Sequence, residues 1–319
     1  MNQIYTHIRQ IEGKSTRKNP FWILKTSILS TWYWTIAHLH ATPGLDVHAR
    51  IFFLGLRSIV KSKHMSKKTL RDAFSLIFLS IDSVRYFEFG FIWKTIKSNP
   101  IRGRYLDISS PRLVPFLLLS SNPSLNVEMV NPDVNDINET KKVAKFLNLD
   151  SRCNYYNKLI KDVDFHISSF NTITCISVIE HIPGYGDLEA IIKIWSLLES
   201  GGTFLLSVPC ARQAFEEYMD FNEYGLLETG EDNFTFGQRF YDEQLLQERI
   251  FNVTGHPLAF KIYGERMEGS FLSNRDSRLS NPNYPFWREP YMMGVDYCFF
   301  NSISEMPGWG VIAMEFRKP

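Results

Sequence analysis

From Tyr105 to the C-terminus, short runs rich in β-branched and aromatic residues alternate with longer stretches whose apolar positions recur every three or four residues. The runs "RYLDIS", "NVEMVN", "TITCISVI", "TFLLSVP", "LAFKIYGE" and "GVIAMEF" predict strands, and "INETKKVAKFLNL" and "DLEAIIKIWSLLES" predict helices between them. Strand alternating with helix predicts a parallel sheet covered on both faces. The last two runs have no predicted helix between them, only a proline- and aromatic-rich segment, which predicts an antiparallel addition at the sheet edge. The first hundred residues follow a helical rhythm instead, in "PFWILKTSILSTWYWTI", "ARIFFLGLRSIV" and "TLRDAFSLIFLSIDSVRYFEFGFIWKTIK".

This pattern divides the chain into a helical N-terminal cap or docking region, 1–100, and an α/β domain, 101–319. The latter carries lid insertions at about 210–240 and 267–308. Charge follows the same division. Residues 1–100 contain 15 Lys/Arg against 5 Asp/Glu and the remainder 20 against 29, so the two parts carry about +10 and −9. A basic, tryptophan-rich helical segment has two readings: it packs on the acidic body and helps close a substrate site, or it makes peripheral contact with a membrane. The acidic first lid and the aromatic second lack the interleaved basic and aromatic character of a nucleic-acid channel. They favour a small-molecule or saccharide-like substrate, and oligomeric state is left open. The four cysteines are scattered, with no CxxC pair and no zinc-like spacing to histidine, which points to no metal and a reducing, cytoplasmic location.

In an open α/β sheet, ligands bind beyond the carboxyl ends of the strands, where strand order reverses. The residues placed there are Asp107, Ser109 and Ser110 after the first strand, Asn131 and Asp133 after the second, and Ser177, Glu180 and His181 after the fourth.

"SVIEHIPG" followed by "LLESGGTFLLSVP", with a preceding strand that ends in "LDIS", resembles the class I S-adenosylmethionine-dependent methyltransferases over about residues 104–266, with "GVIAMEF" as the closing strand. The resemblance implies a Rossmann-like, mostly parallel seven-stranded sheet with an antiparallel last strand. It also implies S-adenosylmethionine as cofactor and methyl transfer to an O or N atom of a small-molecule, saccharide or lipid-linked acceptor. A catalytically silent binding or scaffold protein of the same fold is the alternative. By resemblance, Asp107 takes the acidic place that ends the first strand, Asn131 the place that holds the ribose hydroxyls with Asp133 near it, and Asp162 the place that reads the adenine amino group. His181 is placed at the methyl end as a proton acceptor beside Ser177 and Glu180. The departure is the first turn. Ser109, Pro111 and Leu113 stand where the family has glycines, which predicts the loss of the usual close backbone cradle. In its place Ser110 is expected to cap a helix that starts at Pro111, with the serine hydroxyls turned to the amino-acid end of the cofactor. Asn131-Pro132 also reads as simple turn chemistry.

Overall fold

The computed structural model describes residues 1–7, 20–61, 73–74, 76–78, 81, 83–109, 113–220, 222, 227, 229–230, 233–281 and 284–319. Ser110, expected as a helix cap, and Pro111 lie outside the described residues.

The chain opens with strand β1 (Asn2–Thr6) and then turns helical with α1 (Pro20–Ala37), α2 (Leu45–Lys61) and α3 (Arg85–Ser98). The alternating part follows as β2 (Tyr105–Ile108), α4 (Leu113–Ser121), β3 (Val127–Val130), α5 (Val134–Phe146), β4 (Cys153–Tyr156), β5 (Phe170–Ile176), α6 (Gly186–Leu197) and β6 (Leu198–Ala211). After β6 come the hairpin β7 (Phe215–Met219) and β8 (Thr235–Phe240), helix α7 (Glu243–Leu246) and β9 (Ala259–Glu265). Helices α8 (Ser270–Ser280) and α9 (Glu289–Asp296) lead to β10 (Tyr297–Phe300) and β11 (Trp309–Arg317).

Eight strands form the main sheet in the order β10-β9-β11-β6-β5-β2-β3-β4. Strands β4, β3, β2, β5 and β6 are mutually parallel, and β11 runs antiparallel between β6 and β9. The sheet therefore has the expected seven strands with a reversed last one, plus β10 at the edge beyond β9. The central strands are apolar on both sides because both faces are covered. The pleat sends Tyr105, Val127, Met129 and Leu205 into one core and Leu106, Ile108, Val130 and Ile173 into the other.

The first of these cores extends without a break into the N-terminal helices, through Val47, Ile51, Phe87, Phe89 and Ile92. Helix α3 lies on the sheet with Phe87 stacked on Tyr263 of β9. Helix α2 packs on α3 where Tyr86 and His48 form a buried 2.8 Å hydrogen bond. Gly44, just ahead of α2, has φ +71, and a Cβ there would collide with the Tyr86 carbonyl, so the close approach needs glycine. Helix α1 meets α9 through the rings of Tyr33 and Tyr291.

Sequence periodicity did not anticipate β1. It pairs in parallel with β7, and with β8 they form a separate three-stranded sheet. One carboxylate joins this sheet to α8: Glu217 accepts from Arg275 at 2.6 and 2.7 Å, from Thr6 at 2.7 Å and from Gln238 at 2.8 Å. Burial pushes the Glu217 carboxyl up, but the Arg275 guanidinium and these hydrogen bonds more than offset it, leaving it below the ordinary carboxylate range. Among the described residues no helix is long and apolar enough to cross a membrane.

Candidate functional site

Strand order reverses at β2. The chain moves outward from it to β3 and β4, then returns to place β5 on its other side. The crevice at the carboxyl ends of β2 and β5 is thus the place where an open α/β sheet takes a ligand.

Asp107 near the end of β2 is buried, and its Oδ1 accepts from the Thr174 hydroxyl of β5 at 2.6 Å. That bond ties the two strands that flank the reversal. Ser109 adopts φ +47, the left-handed conformation a glycine would supply. Two bonds to β3 hold it there, since the Ser109 amide and hydroxyl both donate to the Val130 carbonyl, at 2.8 and 3.0 Å. At Ser109 the chain therefore has a left-handed residue that carries a Cβ. Ser177 repeats the arrangement at the end of β5, with φ +48 and its amide bonded to the Ser207 carbonyl. Two non-glycine residues in left-handed backbone at adjacent strand ends are a concentration of strain of the kind found at functional sites.

At the end of β3, Asn131 and Asp133 are committed to local structure. Asn131 Oδ1 accepts from the Asp133 amide at 2.8 Å, and Asp133 caps α5 by accepting from the amides of Asn135 and Asp136. Asp136 was not singled out from the sequence. The Asn131 side-chain amide donates to it at 2.8 Å, and both line a small cleft together with Asp107, Ser109 and Tyr155. A carboxylate is thus present at the second strand end, three residues later than the sequence reading placed it. Asp162 closes a short 3-10 turn after β4 and is exposed.

The far side of the crevice is made by α3. Glu88 is fully buried, and its Oε1 accepts from the Ser177 hydroxyl at 2.5 Å and the Ser207 hydroxyl at 2.6 Å, while Arg85 bonds Oε2 at 2.7 Å. Glu180 lies close by. Burial pushes its carboxyl up to about 8, against the lowering effects of its backbone hydrogen bond and of Arg85, and Glu88 adds to the rise. Its Oε2 is buried with no hydrogen-bond partner. His181 Nδ1 donates to the Gly237 carbonyl at 2.6 Å, and Nε2 stands 3.9 Å from Glu180 Oε1. The structure thus brings Asp107, Ser109, Ser177, Glu180 and His181 to the carboxyl ends of β2 and β5, with Asn131 beside them, and leaves Asp162 apart on the surface. The sequence did contain a signal for Arg85 and Glu88: a charged pair three residues apart inside the apolar run "VRYFEFGFIW".

No protein-family model matches the chain, and no curated protein matches it. Solved structures do. The MccD protein is 12% identical, with 75% of this chain and 100% of that chain covered at a TM-score of 0.51. Geranyl diphosphate C-methyltransferase from Streptomyces coelicolor A3(2) is 8% identical, with 82% and 84% covered at 0.49. Coclaurine N-methyltransferase is 12% identical, with 74% and 72% covered at 0.45. By its strand order, with β11 reversed between β6 and β9, and its likeness to the first of these, the chain has the fold of the class I S-adenosylmethionine-dependent methyltransferases.

Proposed function

We propose that the protein transfers the methyl group of S-adenosylmethionine to an O or N atom of a small-molecule, saccharide or lipid-linked acceptor. The observation that carries this reading is the paired left-handed turns at Ser109 and Ser177 on either side of the buried Asp107, at the strand reversal. Fold alone is compatible with many chemistries, so the argument rests on these residues.

The residues present fit the cofactor. The positive φ at Ser109 is the backbone conformation that glycine adopts readily. The cleft at β3 has a carboxylate wall in Asp136, and Glu180 Oε2 is an unpaired buried oxygen at the other end. In this assignment Asp107 fixes the end of β2 through Thr174, and Ser109 flanks the methionine part. Asp136, steadied by Asn131, accepts from the ribose hydroxyls while Asp133 holds the start of α5. Asp162, apart on the surface, is given no role in this assignment. Ser177 and Glu180 stand at the methyl end. When bound, the cofactor supplies a methyl activated by a sulfonium centre. The chain's own contribution is alignment and exclusion of water, the main requirements of such a transfer. His181 takes the proton released by the acceptor at Nε2, because Nδ1 is already committed to the Gly237 carbonyl.

Titration calorimetry with S-adenosylmethionine and with its demethylated product tests the reading. Binding in the micromolar range, about −8 kcal/mol, is expected, weakened by Asp107→Ala. No heat at millimolar cofactor overturns it.

A further inference from the structure

Helix α1 keeps apolar side chains on both sides. The side it turns inward packs Trp34 against the core and buries Thr26, Ser30 and Ala37, and among the described residues Thr26 Oγ1 has no hydrogen-bond partner. The side it turns outward carries Leu24, Ile28 and Trp32 at steps of four residues, each 59–61% exposed. A helix that serves only to cover a core turns these inward. Helix α2 also leaves large apolar side chains outside, with Phe53 and Val60 exposed and Arg57 and Lys61 exposed near them on the helix.

Charge decides what covers these faces. Residues 13–45 include Lys14, Arg17, Lys18 and Lys25 and no Asp or Glu, and 61–71 hold five Lys/Arg. A second copy docked face to face would bring two segments of about +10 together, which opposes association. An anionic bilayer attracts such a segment and accepts Trp, Leu and Ile at the level of its headgroups. We propose that the outward faces of α1 and α2 seat the protein on an anionic lipid surface, with Leu24, Ile28 and Trp32 entering the interface.

The test uses the full chain and vesicles of phosphatidylcholine with and without phosphatidylserine. Expected is flotation with the phosphatidylserine vesicles only, weakened by salt, and reduced roughly tenfold or more by the double substitution Ile28→Gln, Trp32→Gln. Because both side chains are exposed, the melting temperature of that variant should match the parent. A second readout needs no variant: brominated phosphatidylserine vesicles should quench part of the tryptophan fluorescence of the unaltered chain. Absence of both flotation and quenching overturns the proposal. So does a concentration-dependent dimer that the double substitution disperses, which would make the face a contact between copies.

Discussion

Glu88 of α3 receives the Ser177 hydroxyl at 2.5 Å, so a carboxylate from the N-terminal helices forms part of the wall at the end of β5. The same carboxylate holds Ser207 and Arg85. Removing it takes a buried acceptor from Ser177, Ser207 and Arg85 at once. Glu88→Ala is expected to lower stability by about 3 kcal/mol, and Glu88→Gln, which keeps an acceptor for the serines, by less. Urea unfolding of both variants checks the order. A loss below about 1 kcal/mol for the alanine variant would mean the cluster is solvated and does not lock α3 to the sheet.

The turn at Ser109 allows a sharper comparison. Ser109→Ala keeps the Cβ in left-handed backbone and loses the bond to Val130, an expected cost of about 1 kcal/mol. Ser109→Gly loses the same bond but relieves strain of about 1–2 kcal/mol, so it should be the more stable of the two by about 1 kcal/mol after the extra chain entropy of glycine. The glycine variant should also retain cofactor binding. Equal melting temperatures for the two would show that the Cβ is not what strains this turn.

These two sites illustrate how far the sequence could be read. Strands β2, β3, β5, β6, β9 and β11 were legible because each is a short apolar run bounded by turn residues, and the strand-end rule then marked Asp107, Ser177 and Glu180. Strand β4, "CNYY", is too short and too polar to stand out, and β7, "FEEYM", carries two glutamates. Strand β1 pairs with a segment more than two hundred residues away, which no local pattern encodes. Glu88 had a local signal in its spacing to Arg85, but its partner Ser177 lies 89 positions on, so its place at the site could not be read. At Ser109 the sequence predicted the loss of a close backbone cradle but not the conformation of the residue itself, a left-handed serine held by two hydrogen bonds to Val130.

At the end of β3 the two aspartates should separate cleanly. Asp133 caps α5, so Asp133→Ala should lower stability by about 1 kcal/mol and leave cofactor affinity unchanged. Asp136 lines the cleft, so Asp136→Asn should weaken cofactor binding by roughly tenfold, the loss of one charged acceptor, with little change in melting temperature. Calorimetry and thermal melts on both variants decide. The reverse assignment, with affinity following Asp133, would return the ribose site to the position the sequence suggested.

Glu180 gives the fold a pH dependence whose sign is fixed by burial. Its carboxyl titrates near 8 in the folded chain and near the model-peptide value of about 4.3 when unfolded. Below that lower value both states hold the proton and nothing is lost. Between the two values the unfolded chain gives up its proton and the folded chain keeps it, so this group makes stability fall as pH rises, by on the order of a few kcal/mol in all. Above about 8 both states are ionised and the slope ends. Glu180→Gln, neutral and of the same shape, should remove this slope and be more stable than the parent at pH 8. If Glu180 also backs His181 in proton transfer, turnover of the parent rises with pH through the same upper value. The glutamine variant then loses that rise and roughly a hundredfold in kcat, with cofactor affinity intact. Urea unfolding from pH 5 to 9 on parent and variant tests the first part. An unchanged slope in the variant would show that another group carries the titration.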